Sequence, residues 1–186
     1  MQTAVADIKD EQILNLIQRE GEQERGFKLL LDKYQERLYW HIRKLVIDHE
    51  DANDVIQNCL IKVFRGIQRF QGNSSLYTWL YRIATNESIT FLNKKKKTGT
   101  DSLDNEALLL GEKLKADVYF DGNEIQLALQ KALCLLPQKQ RVVFQLRYFE
   151  EMSYQQMSEV LETSVGGLKA SYHHAVKKIE KALKAR

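Results

Sequence analysis

The side chains best suited to recognition chemistry lie between Ser153 and Ala175. Ser153 and Gln156 stand at the spacing of a capping box, and Met157, Val160 and Leu161 give the segment between them and the next turn one apolar face. Glu162-Thr163-Ser164 reads as a tight turn, and Ser164 can cap a second helix opening at Val165. Gly166 and Gly167 in its first turn lower helix propensity by about 1 kcal/mol each. They also leave the backbone open to close approach by an anion such as a DNA phosphate. Leu168, Tyr172 and Ala175 form an inward stripe, so Lys169, Ser171, His173 and His174 point outward with donors suited to a major groove. The segment reads as a helix-turn-helix, although an ordinary helical hairpin has the same spacing. Glu162 holds a turn position where glycine is common, and a positive φ there carries strain of about 1 kcal/mol or more.

Bond-making chemistry finds little support. Glu50, Asp51 and Asp54 crowd one stretch and could in principle hold a metal, but His41, His49, His173 and His174 complete no ligand set with them. The acids read better as a helix N-cap at Asp51 and first-turn charge at Asp54. No nucleophile–base arrangement or phosphate loop is present. Cys59 and Cys134 each sit among apolar residues at helical spacing and read as buried small hydrophobes. The expectation is a chain that is not an enzyme, with no cofactor, no metal and no small-molecule substrate.

The elements that must position these groups are helices. The chain of 186 residues has a single proline, Pro137, and 44% hydrophobic residues. Its apolar residues recur at three and four, which predicts an all-α protein. One helix takes Phe27, Leu30, Leu31, Tyr34, Leu38, Ile42, Leu45 and Val46; the next takes Ala52, Val55, Ile56, Cys59, Val63, Phe64 and Ile67. Gln71-Gly72-Asn73-Ser74-Ser75 is a break of turn residues, and a third helix runs from Leu76 to about Leu92. Lys94 to Lys97 are basic, and residues 98–123 hold six acids and two bases, the composition of a linker. Within it, Ala107 to Leu110 is apolar enough to dock. Four further helices are predicted over 124–135, 138–149, 154–161 and 165–184. The organisation is thus two small helical domains, 1–97 and 124–186, joined by a flexible linker, 98–123. Net charge is only +3, but residues 169–186 hold six bases against one acid. With a polar, acidic N-terminus and no apolar run near the roughly 20 residues that span a bilayer, a cytoplasmic protein is expected.

Two segments resemble one family, in order and at the right separation. Glu50-Asp51-Ala52-Asn53-Asp54-Val55-Ile56-Gln57, followed by Phe70 to Asn86, is similar to region two of the sigma-70 family of RNA polymerase sigma factors. Leu136-Pro137-Gln138-Lys139-Gln140-Arg141, followed by Ser153 to Ala175, resembles region four. The short stretch between them resembles the extracytoplasmic-function group. The resemblance implies that Asp54, Gln57 and Asn58 grip core polymerase. It implies that Gln71, Asn73, Ser74, Ser75 and Asn86 capture a flipped base of the opened minus-ten strand, with Trp79 shared between core packing and base contact. Arg82 and Lys94 to Lys97 would supply positive charge for separated strands. It further implies that Ser164, Gly166, Gly167, Lys169, Ser171, His173 and His174 dock on the minus-thirty-five duplex, with Arg141, Tyr154 and Gln155 on phosphates or the edge of that site. The implied partners are core RNA polymerase, promoter DNA and an anti-sigma factor. The rival reading is a stand-alone helix-turn-helix regulator, which leaves Gly72 to Asn86 without a purpose.

Overall fold

A computed structural model describes residues 8–97 and 124–184. Among the described residues every regular element is a helix. The first domain comprises α1 (Asp10–Gln18), α2 (Gln23–Val46), α3 (His49–Ile67) and α4 (Leu76–Lys97). The second comprises α5 (Glu124–Cys134), α6 (Gln138–Tyr148), α7 (Tyr154–Leu161) and α8 (Val165–Lys184). The expected linker, 98–123, with its apolar Ala107 to Leu110, lies outside the described residues.

In the first domain α1, α3 and α4 all pack on α2, and α3 packs on α4. The stripe Leu30, Tyr34, Leu38, Ile42 and Leu45 on α2 meets Ala52, Val55, Cys59 and Val63 on α3, all buried. Each large apolar side chain removed from water in this way contributes about 1.5–3 kcal/mol. Burial pushes the Cys59 thiol up to about 12, so it stays a neutral apolar filler. Phe64, expected within the stripe, is instead 58% exposed. It stands one residue beyond Val63, and the 100° step per residue turns it off the buried face. Cys134, also expected to be buried, is only partly so.

The sequence reading missed α1, whose buried Ile13 and Ile17 stand one helical turn apart. A Cβ at Gly26 would meet Ile17 Cγ1 and Ile17 N at 2.7 Å, so the glycine is what lets α1 lie against α2. Gly26→Ala is therefore expected to destabilise the protein by about 1–3 kcal/mol, because Ile17 N, and Leu16 C at 3.0 Å, are backbone atoms that cannot rotate away. Urea unfolding followed by circular dichroism checks this.

The N-cap of α3 is Asp48 rather than the expected Asp51: its carboxylate accepts from the N–H groups of Glu50 and Asp51. Asp51 sits in the first turn and pairs with Lys95 at 2.8 Å. The cap shifts because Ile47 turns the chain sharply, with φ 70° and ψ −40°. The Asp48 N–H donates to Val46 O at 2.9 Å, closing a three-residue turn of the strained γ type. The buried Ile47 side chain packs against Leu127 and Cys134 of α5.

In the second domain α5, α6 and α7 surround α8. Phe144 stacks on Tyr148 and Tyr172 at 5.1 and 5.7 Å. The α7 capping box forms as expected, with Ser153 and Gln156 exchanging bonds. Glu162 does adopt φ 50°, ψ 40°. Glu162→Gly is expected to raise stability by up to about 1 kcal/mol by removing the Cβ conflict, a shift in Tm of about 2–4 °C in a thermal melt.

Candidate nucleic-acid interface

A pocket of about 350 Å³ opens where the turn after α3 meets α4. Gln71, Asn73, Ser74, Trp79 and Arg82 line it together with Gly66, Arg69, Phe70 and Glu159. Five of the residues expected in this part of the molecule are thus brought together. Trp79 is half-buried and leans on Phe70, ring centroids 5.3 Å apart. A Cβ at Gly66 would come within 3.1 Å of its indole, so that glycine seats the ring against α3. Asn73 Nδ2 donates to Gln71 Oε1 at 3.3 Å, which holds two amides at the mouth. The pocket offers amide and hydroxyl groups, the Trp79 and Phe70 rings and two guanidinium groups, a set suited to an unstacked base and its phosphate, together with the Glu159 carboxylate, which is not.

Two expected members stand elsewhere. Ser75 caps α4, accepting from the Thr78 N–H at 3.1 Å and sharing a 2.8 Å hydroxyl bond with Thr78. Asn86 is exposed and does not line the pocket. Arg69, Phe70 and Gly66 were missed by the sequence reading. The available signal was Arg69-Phe70, a base and an aromatic directly before the Gln71–Ser75 turn.

The second surface is the start of α8. Ser164 Oγ accepts from the Gly167 N–H at 3.3 Å, and Leu168 beneath is fully buried. Gly166, Gly167, Lys169, His173 and His174 are exposed, whereas Ser171 is half-buried. A Cβ at Gly166 would meet nothing within 4 Å, so the space before the helix N-terminus is open. Gln155 is exposed and Tyr154 half-buried, with Arg147 and Lys169 at 5.2 and 5.7 Å from the Tyr154 ring centre. Arg141 is half-buried on α6, and its Nε has no hydrogen-bond partner.

A third surface is a groove of about 500 Å³ between α3 and α4. Asp54, Gln57 and Asn58 line it with Ile61, Phe91 and Lys94 among others. Asn58 Nδ2 donates back to Asp54 O at 3.0 Å. Ile61, 48% exposed, continues this helical face. Among the described residues no cluster of three or more His, Cys, Asp or Glu could hold a metal, and no helix is long and apolar enough to cross a membrane.

Residues 30–98 match Sigma-70 region 2, and residues 126–179 match Sigma-70, region 4. The RNA polymerase sigma-H factor of Pseudomonas aeruginosa is 32% identical over 183 residues, 94% of each chain. The chain belongs to the sigma-70 family, in its extracytoplasmic-function group. The ECF RNA polymerase sigma factor SigW of Bacillus subtilis is 28% identical and covers 89% of this sigma factor and 92% of its own length. The fold is shared with the sigma factor RpoE of Bartonella quintana, solved in complex with the anti-sigma factor NepR: TM-score 0.65, 21% identity, 87% of this chain and 98% of that one. It is shared equally with CnrH, solved in complex with the cytosolic domain of CnrY: TM-score 0.65, 20% identity, 98% and 96% covered. In this sigma factor the pocket and the α3–α4 groove fall within region 2, except Glu159, and the α7–α8 pair falls within region 4.

Proposed function

We propose that this sigma factor binds core RNA polymerase through Asp54, Gln57 and Asn58 and directs initiation by reading two promoter elements. Residues 1–97 take the polymerase and the opened minus-ten strand, residues 98–123 connect, and residues 124–186 read the minus-thirty-five duplex. In the region 2 pocket, Asn73, Ser74 and Gln71 present hydrogen-bonding groups to the edge of a flipped base, Trp79 offers it a face, and Arg82 meets the backbone. Ser75 acts through the α4 cap, and Asn86 contacts the strand further along the helix. In region 4, Gly166, Gly167 and the Ser164-capped N-terminus of α8 approach phosphate. Lys169, His173 and His174 read base edges, with Ser171 at their margin, while Arg141, Tyr154 and Gln155 hold phosphates beside the site. Neither surface needs to bind DNA tightly alone, because tethering both to polymerase raises their effective concentration.

The observation that carries this reading is the coexistence, in one chain, of an amide-, hydroxyl- and indole-lined pocket with a capped helix-turn-helix. A stand-alone regulator needs only the second. The chain itself performs no chemistry; polymerase makes the RNA. It acts in the cytoplasm, where polymerase and DNA are, and an anti-sigma factor restrains it. Run-off transcription with core polymerase across a genomic fragment library tests the proposal, and specific transcripts dependent on this chain are expected. Changing Asp54 and Gln57 together to alanine is expected to weaken pull-down of core polymerase with helicity intact, since both side chains are exposed. Undiminished pull-down would remove this groove from the polymerase contact.

A further inference from the structure

Base reading accounts for only the first half of α8. The helix runs 20 residues, Val165–Lys184, and the groups assigned to the promoter end at His174. Four lysines follow, Lys177, Lys178, Lys181 and Lys184, and all four are exposed. Among the described residues none of them has an ion-pair partner. Glu180 is the one acid beside them in this half of the helix.

This second half is anchored. Ala175 and Ile179 are buried against Ala132 and Leu133 of α5 and against Leu136 just after it. α5 thereby fixes the lysine-bearing half as a continuation of the recognition half. On the exposed side, Gly166, Ala170, His173, Lys177, Lys181 and Lys184 recur at three and four, which places them in one stripe. The cations therefore prolong the line of the groups that face the base edges. The helix macrodipole favours cations in the last turn, which accounts for Lys181 and Lys184 as helix-stabilising charges. It does not reach Lys177, about two turns from the end, and it does not dictate alignment with His173.

Lengths decide what the stripe meets. At 1.5 Å per residue, Gly166 to His174 spans about 12 Å, the width of the major groove. Lys177 and Lys184 lie about 4 and about 15 Å beyond His174 along the helix axis. A recognition helix that reads base edges with its N-terminal part carries its C-terminal end to the sugar–phosphate wall of the groove, as in homeodomains.

We propose that Lys177, Lys181 and Lys184 clamp the phosphates flanking the minus-thirty-five element and add affinity without sequence preference. The clamp rests on the promoter-binding reading above and extends it to a part of α8 that reads no base. Each ammonium is a point charge on a flexible four-carbon stem, so it meets a phosphate oxygen whatever base stands at that step.

Holoenzyme assembled from core polymerase and the full chain, bound to a promoter from the run-off assay at several salt concentrations, tests the clamp. Lys177→Gln, Lys181→Gln and Lys184→Gln together are expected to reduce the salt slope by about 2–3 units, since each phosphate contact contributes about 0.9. The advantage of wild type over this variant then shrinks by about 40-fold between about 50 and about 200 mM salt, alike on every minus-thirty-five sequence. Arginine at the same three positions is expected to keep the slope. Phosphate-ethylation interference is expected to lose signals flanking the element in the glutamine variant.

An unchanged slope in the glutamine variant overturns the clamp and leaves this face merely solvated. Weaker capture of core polymerase with an unchanged slope also overturns it and assigns the stripe to an acidic protein surface. If the triple variant loses helical circular dichroism, Lys177→Gln alone decides, with an expected loss of about one unit of slope. A reduced slope in the glutamine variant, with His173→Ala and His174→Ala binding every promoter as the wild type does, would instead reject the base-reading assignment and keep the clamp.

Discussion

Asn73→Ala combined with Ser74→Ala is expected to lower open-complex formation by roughly 30-fold or more while leaving duplex binding through region 4 unchanged. Both side chains line the region 2 pocket, and Ser75, which caps α4, is left in place, so the helix that carries Trp79 and Arg82 keeps its start. A hydrogen bond lost to a base in an enclosed site costs about 1–3 kcal/mol, and two such losses at the low end give about 2 kcal/mol. That is roughly 30-fold in an equilibrium constant. Permanganate footprinting of the transcription bubble reads the effect, and an electrophoretic shift of closed complexes supplies the control. A normal footprint would reduce the loop to a connection between α3 and α4. Loss of both readouts together would point to misfolding, which the unchanged cap makes an unexpected result.

The second large effect lies on α8 and separates two kinds of contact. Lys169→Ala, His173→Ala and His174→Ala are each expected to cost about 1–3 kcal/mol, with the cost depending on the base at one promoter position. Arg141→Ala is expected to weaken all promoters alike and to reduce the salt slope of binding by about one unit. Arg141 is half-buried on α6, outside the α7–α8 pair, and its Nε has no hydrogen-bond partner. Lys169 carries an added feature, since its ammonium stands 5.7 Å from the Tyr154 ring centre. Tyr154→Phe should therefore keep much of the Lys169 contribution, whereas Tyr154→Ala should lose it. A promoter library assayed at several salt concentrations distinguishes these outcomes. Equal loss on every promoter from all three α8 variants would mean that this helix does not read sequence.

Much of the helical frame was legible from residue order. The spans expected for the second domain differ from the observed ones by a single residue at the ends of α5 and α6. The reason is local: capping, apolar spacing and turn chemistry act between residues three or four apart. The α7 capping box, the left-handed Glu162 and the buried Leu168 and Ala175 all belong to this class. The missed N-terminal helix was concealed by its acids, because the Ile13–Ile17 pair is too short a stripe to stand out without α2 to receive it. The cap of α3 was misplaced for a related reason. Asp48 and Asp51 are equivalent by type, and the strained turn at Ile47 chooses between them.

The sequence alone determined that this protein is helical and that it carries a capped helix-turn-helix, and it offered amides, hydroxyls, cations and one indole as candidate recognition groups. It did not determine which groups share a pocket. Phe64 and Cys134 depart from expectation because burial depends on which neighbour covers a face, not on residue type. Glu150 shows this most clearly: a charged residue in a turn reads as solvated, yet its partners Tyr81, Tyr77, His41 and Lys44 stand 69, 73 and about a hundred positions away in the chain. Only the packing of α6 and α7 against α2 and α4 brings them together, since desolvation and ion pairing depend on distance in space, and no local spacing encodes them.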